Sequence, residues 1–179
     1  YGVFQDGKLK ARGIELRRGD TPEIILRCQE EMIKELAKAR SSEEFIRSIP
    51  DALNVFREYA CSILNRNVDV DDLIISKQLS KEPNRYVNNI NQAIAAKKLS
   101  AHGVEVTAGQ TVKYVILDAD NKRPERRVVP IQLIAEEKYD AEAYLKLLVD
   151  AIQTMLSPFG YTQDDLMLQI SSARQGVLN

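Results

Sequence analysis

Leu73-Ile74-Ile75-Ser76-Lys77-Gln78-Leu79-Ser80-Lys81, then Asn84-Arg85-Tyr86, and then Asn91-Gln92-Ala93-Ile94-Ala95-Ala96-Lys97-Lys98-Leu99 is the stretch on which the fold turns. Its short apolar opening, Leu73–Ile75, reads as a strand, and the longer run from Asn84 to Leu99 reads as a helix carrying Arg85, Lys97 and Lys98. Strand and helix therefore meet inside one segment, and that segment is also where positive charge collects. Residues 76–113 sum to +4, whereas the whole chain is −1. The neighbouring blocks lean the other way, −4 over residues 21–75 and −3 over residues 114–179, with +2 over residues 1–20. The near-neutral total excludes a global field drawing the chain to polyanions, and it points to the first and third blocks as the surfaces of interest.

Towards the amino terminus, Tyr1–Gln5 and Lys8–Arg12 flank Asp6-Gly7, a two-residue hairpin signal, because both turn positions tolerate positive φ. A third extended piece, Ile14–Arg18, is expected next. Thr21-Pro22-Glu23 then announces a helix with a hydroxyl cap, a first-turn proline and an acid near the positive end. Ile24, Ile25, Cys28, Met32, Ile33 and Leu36 recur at three- and four-residue spacing, which puts them on one buried face. Ser42 with Glu43 and Glu44 opens a further helical stretch, interrupted near Pro50 and resuming through Leu53, Phe56, Tyr59, Ala60, Ile63 and Leu64.

Towards the carboxyl terminus, Ala108-Gly109 is a turn, Thr111–Leu117 a strand, Asp118–Arg126 a charged loop and Arg127–Ile134 another strand. Tyr139-Asp140 caps a long helix with Tyr144, Leu147, Leu148, Ile152 and Leu156 on its apolar face, ended by Pro158 and Gly160. A short helix, Asp164–Leu168, precedes a polar tail. The class is α+β, mainly helical, with a small antiparallel sheet and an N-terminal β-hairpin.

No apolar run reaches membrane-spanning length, so no membrane partner is expected. Two cysteines, Cys28 and Cys61, each inside a helical apolar pattern, read as small buried hydrophobes and fit a reducing, cytoplasmic setting. The lone histidine, His102, stands beside Gly103 at a helix end, where its partial charge suits the dipole. With no second histidine or nearby cysteine, no nucleophile–base pair or zinc site can be assembled. The carboxylate pairs Asp71-Asp72, Glu136-Glu137 and Asp164-Asp165 read as loop or cap residues rather than as convergent magnesium ligands. The eight glycines are scattered and form no phosphate loop. No catalytic residue, metal or cofactor is expected of the chain itself.

There remains the basic segment, in which Lys77, Lys81, Arg85, Lys97, Lys98 and Lys113 interleave with Gln78, Ser80, Tyr86, Asn88, Asn89, Asn91 and Gln92. This is the donor set that engages phosphate oxygens, though a solvated helix face has the same composition. Aromatic residues are few here, so gripping a duplex by its backbone is favoured over stacking on single strands.

The order of motifs resembles family B DNA polymerases, above all the archaeal replicative ones. In that family the palm closes with a hairpin and then a glycine, a glutamate and an arginine-rich stretch ending in aspartate; here the stretch reads Arg12-Gly13-Ile14-Glu15-Leu16-Arg17-Arg18-Gly19-Asp20. Gln78-Leu79-Ser80-Lys81 is similar to the Gln-x-Thr-Arg element of the thumb, and is followed by Tyr86 and by Ala96-Lys97-Lys98-Leu99. Gly103, Gly109 and Tyr114 continue the pattern, as do Tyr139-Asp140, Tyr144, Phe159-Gly160-Tyr161 and Asp164-Asp165-Leu166. Tyr1 resembles the tyrosine of a Lys-Lys-x-Tyr element. Three departures stand out: Gly19 separates the arginines from the aspartate, Asn91-Gln92 replaces a Pro-His pair, and Lys81 replaces an arginine, keeping charge but losing the bidentate fork.

The resemblance implies the end of a polymerase palm at residues 1–20, a thumb at 21–170 and a tail at 171–179. It implies a piece of a larger DNA-directed DNA polymerase, a nucleotidyltransferase whose catalytic aspartates and Mg2+ lie upstream, so that the piece alone is inactive. Arg17, Arg18, Lys77, Gln78, Lys81, Arg85, Tyr86, Lys97 and Lys98 are the implied contacts to primer–template duplex. Gln175 and Leu178 have the Gln-x-x-Leu spacing of a sliding-clamp peptide, without its aromatic pair. The rest of the polymerase chain is the other implied partner. Two further readings stay open: a non-catalytic DNA-binding accessory subunit, including the small product of a split polymerase gene, and a protein-interaction domain that leaves DNA alone.

Overall fold

Backbone is described for residues 2–3, 9–10 and 19–176 in the computed structural model of the chain. Strands β1 (Gly2–Val3) and β2 (Leu9–Lys10) pair antiparallel, Gly2 opposite Lys10 and Val3 opposite Leu9, as the hairpin pattern predicts. The Asp6-Gly7 turn, the extended piece Ile14–Arg18, and Arg17 and Arg18 themselves lie outside the described residues.

The chain divides into two units, the first made of Tyr1–Arg18, Ile24–Asn67 and Leu145–Asn179. Its helices are α1 (Glu23–Leu36), α2 (Ser42–Leu64), most of α4 (Ala141–Leu156) and α5 (Gln163–Gly176). Their core joins Ile25, Cys28 and Met32 of α1, Phe56, Ala60 and Ile63 of α2, Leu148, Ile152, Met155 and Leu156 of α4, and Leu166 and Ile170 of α5, all buried. The three- and four-residue periodicity of α1 is thus the buried face the sequence predicts. Cys28 is fully buried, and burial pushes its thiol well above the usual range; Cys61 is only half-buried. The buried amide of Gln29 donates to the Ala151 carbonyl at 3.3 Å, which ties α1 to α4.

Helix α2 differs from expectation in running unbroken through Pro50. Proline removes the bond to the carbonyl four residues back, here that of Ile46, and both residues face solvent, where water can take its place. The helix begins at Ser42, as expected, and Ser41 caps it: its side chain accepts the Glu44 N–H. Helix α5 is far longer than the expected Asp164–Leu168, because Leu166 and Ile170, one turn apart, share a buried face. On its polar side, Arg57 donates to Gln169 at 2.6 Å.

The second unit, Gly19–Glu23 and Val68–Tyr144, holds a three-stranded antiparallel sheet ordered β3 (Ile75–Gln78), β4 (Thr111–Ile116), β5 (Val128–Pro130). Ile75 pairs with Tyr114 and Gln78 with Thr111, while Tyr114 also pairs with Pro130. Helix α3 (Asn91–Ala101) covers β4 and β5. It buries Ala93, Ile94, Ala95, Ala96 and Leu99, and the small alanines let it lie close to the sheet.

Three boundaries move. The expected strand Leu73–Ile75 becomes a 3-10 turn at Val70–Leu73 followed by β3, which reaches to Gln78. The expected strand Arg127–Ile134 stops at Pro130, which lacks a ladder donor, and a 3-10 turn Ile131–Leu133 follows. The expected helix Asn84–Leu99 begins seven positions later, at Asn91, after a 3-10 turn at Pro83–Arg85. His102 is the C-cap of α3, as its position beside Gly103 suggests, and its Nδ1 lies 2.8 Å from the Lys98 carbonyl oxygen.

Tyr144 anchors this unit. Its fully buried hydroxyl accepts the Ile116 N–H at 3.0 Å and donates to the Leu73 carbonyl at 2.8 Å. Asp140 caps α4 by accepting the Ala143 N–H at 3.0 Å, as the sequence indicates, and its other oxygen accepts the Ala119 N–H at 2.8 Å.

Candidate nucleic-acid interface

The basic segment is built outward from the end of β3. Leu79 N–H donates to Gln110 O at 2.9 Å, and Gly109 N–H donates to Leu79 O at 2.7 Å, so the ladder continues one residue past the strand. Gly109 sits at φ +87°, a left-handed conformation that glycine adopts without strain, and this closes the turn opposite Leu79. Gln78 Nε2 adds a bond to Gly109 O at 2.8 Å, and Glu82 Oε1 accepts the Ala108 N–H at 3.1 Å. These bonds fix the backbone from which Ser80 and Lys81 project.

The chain then turns back through Pro83–Arg85 and brings Tyr86 against that same backbone. The Tyr86 ring is buried at 7% exposure, and its hydroxyl accepts the Ser80 N–H at 2.9 Å and lies 3.2 Å from Ser80 Oγ. Hydrogen bonding to the Ser80 side chain holds the phenol below its ordinary pKa. Lys81 Nζ lies 5.0 Å from the Tyr86 ring centroid, within cation–π range. From α3, Lys97 Nζ donates to the Tyr86 carbonyl at 3.3 Å. Two ammonium groups sixteen positions apart in sequence therefore converge on one tyrosine. Arg85, next to it, is exposed, as are Asn84, Val87, Asn88 and Asn89.

The other expected contacts are placed differently. Lys77 forms an ion pair with Asp20, 57 positions away, so its charge is locally compensated. Lys98 donates to Val128 O at 2.8 Å, fastening α3 to β5, and burial lowers its ammonium pKa against the opposing pull of Glu137 and Glu125. Gln78 is engaged by Gly109. Gln175 lies near the end of α5, and Leu178 falls outside the described residues. Lys81 and Lys97 are thus the exposed cations that the structure brings together at Tyr86, with the exposed Arg85 next to it in sequence. Ser80, named in the sequence only as one polar neighbour among several, proves to be the other half of the Tyr86 contact.

Elsewhere, an open groove of about 380 Å3 in the first unit is lined by Phe159, Gly160, Tyr161, Asp165, Leu168 and Gln169. Its one carboxylate caps α5: Asp165 accepts Thr162 N–H at 2.9 Å and Thr162 Oγ1–H at 2.7 Å, and returns its own N–H to Thr162 Oγ1. The magnesium ions implied for a whole polymerase find no fit among the described residues, where no group of three or more His, Cys, Asp or Glu side chains could hold a metal ion. Glu137, for its part, accepts the Ala135 N–H. Among the described residues, no helix is long and apolar enough to cross a membrane.

A mainly helical α+β chain with a small antiparallel sheet and this motif order falls in the class of polymerase segments. The family model for DNA polymerase family B matches residues 2–159, and the chain belongs to that family. It is 28% identical over 170 residues to a DNA polymerase of Pyrococcus horikoshii, covering 93% of this chain and 13% of that protein. It is 27% identical over 173 residues to a DNA polymerase of Thermococcus sp. strain GE8, covering 94% of this chain and 10% of the relative. Among solved structures, the family B DNA polymerase from the hyperthermophilic archaeon Pyrobaculum calidifontis superimposes with a TM-score of 0.70 at 27% identity, covering 90% of this chain and 20% of that one. The chain thus spans about a tenth to a fifth of the length of these relatives.

Proposed function

We propose that this chain is the thumb, with the last part of the palm, of a family B DNA polymerase, and that it grips newly formed primer–template duplex through the phosphate backbone. The observation that carries this reading is the convergence of Lys81 and Lys97 on Tyr86, beside the exposed Arg85, in a chain of that family. Cations held on a pre-formed backbone contact phosphates without regard to base sequence, as a replicative enzyme requires. In the whole enzyme such a grip keeps the primer 3′ hydroxyl in line with the incoming nucleotide, while the metal-dependent chemistry resides in the palm of the complete polymerase. Lys77, Gln78 and Lys98 support the gripping surface, and Arg17 and Arg18 are further contacts to the duplex in the same reading. A cytoplasmic setting and a sliding clamp at Gln175 and Leu178 belong to the same reading.

The test is a titration of the 179-residue chain with a mixed-sequence duplex at rising salt. Three phosphate contacts give a log–log slope near −2.7, at about 0.9 per contact. Absence of binding at low salt, or an affinity indifferent to salt, overturns the reading.

A further inference from the structure

We infer that Tyr86 is a positioning residue: its phenol and carbonyl gather Lys81 and Lys97 into one phosphate-binding unit, and it acts through those lysines rather than touching DNA itself. The inference rests on the duplex-gripping reading and goes beyond it by assigning Tyr86 a different task from that of a backbone contact.

The geometry is direct. Only 7% of Tyr86 is exposed, which leaves little of it for a phosphate to reach, and its hydroxyl is already engaged by the Ser80 N–H and by Ser80 Oγ. Each of its other groups meets a cation: the ring lies under Lys81 Nζ, and the carbonyl accepts from Lys97 Nζ. The Ser80 N–H, which directly precedes Lys81, would lose its partner without the phenol. The flanking residues would stay held, Leu79 by the Gly109 and Gln110 bonds and Glu82 by Ala108, but the Ser80–Lys81 backbone between them would lose its bond to the phenol. A long lysine side chain has many rotamers, and restraining it before binding lowers the entropy lost when phosphate is engaged. Lys81 is a point charge without a rigid fork, and such a group gains most from restraint.

The experiment is a double-mutant cycle on the full chain, reading duplex affinity at low salt, salt slope and amide exchange at Ser80. The proteins are wild type, Tyr86→Phe, Lys81→Ala with Lys97→Ala, and the combination. Tyr86→Phe is expected to speed exchange at Ser80 and weaken binding about 2- to 10-fold, the range of one lost hydrogen bond. In the background lacking both lysines, the same change is expected to cause no further loss. An equal loss in both backgrounds overturns the inference, because Tyr86 would then be touching DNA or merely supporting the fold. Unchanged binding in Tyr86→Phe overturns it as well. Should that variant lose its native circular dichroism, the cycle is run with Ser80→Ala, which removes the opposite hydroxyl and leaves the phenol in place. A loss confined to the lysine-bearing background then supports the inference, and an equal loss in both backgrounds, or none, overturns it. Failure of the wild-type chain to bind duplex sinks the gripping reading and this inference together. Wild-type binding without coupling to the lysines sinks the inference alone.

Discussion

Two pairs of lysines that look alike in sequence should behave oppositely when removed. Lys81 and Lys97 are exposed and meet at Tyr86, whereas Lys77 is paired with Asp20 and Lys98 is half-buried and bonded to the Val128 carbonyl. If the pair at Tyr86 engages phosphate, removing both in Lys81→Ala/Lys97→Ala lowers the salt slope by about 1.8, at about 0.9 per contact. Between 50 and 200 mM salt, a fourfold range, that difference is about 12-fold in how much affinity is lost. Lys77 and Lys98, already engaged by Asp20 and Val128, should move the slope far less. Lys77→Ala/Lys98→Ala instead leaves Asp20 without its lysine and loosens α3 from β5, so its main effect falls on thermal stability. The assay is fluorescence anisotropy of a labelled duplex over a salt series, with a thermal melt of each protein alongside. Equal slope changes for the two pairs, or a larger one for Lys77 and Lys98, would refute the reasoning.

Tyr144→Phe should be strongly destabilising, because it leaves a buried N–H at Ile116 and a buried carbonyl at Leu73 without partners. At about 1–3 kcal/mol for each orphaned group, less the phenol's own desolvation, the loss is about 2–4 kcal/mol, measurable by urea denaturation; a loss under about 0.5 kcal/mol, typical of a surface change, would contradict it. Asp165→Ala should fray the start of α5 at neutral pH, as read by helical circular dichroism on warming. Thr162's hydroxyl, and then its N–H, hold the Asp165 carboxyl below its ordinary 3.8, so the cap's contribution is present above that value and is lost as pH falls through the lower folded one. The difference between wild type and variant should therefore vanish in strong acid, and its persistence there would count against the cap.

Much of the helical unit was legible in the letters. The spacing of Ile25, Cys28 and Met32 is a local property of the chain, and a 3.6-residue period demands one buried face wherever the partner comes from. Asp140 at the head of α4 and His102 at the tail of α3 were legible for the same reason, since a cap acts within one turn of its own helix. Pro50 misled, because a proline's effect depends on whether the orphaned carbonyl meets water or a core. The start of α3 misled too. Asn84–Ile90 has the length and polarity of helix, yet the bond between Tyr86 and Ser80 folds that piece back on itself.

The membership of the chain, its α+β class and the location of its positive charge followed from sequence alone, because motif order, periodicity and composition survive without coordinates. Which cations are already engaged within the fold did not follow. Lys77, Lys81, Lys97 and Lys98 have the same ammonium group, and only long-range contacts distinguish them: Asp20 reaches Lys77 across 57 positions and Val128 reaches Lys98 across 30. A charge is compensated or exposed according to what lies within a few ångströms of it, and that distance is set by tertiary structure.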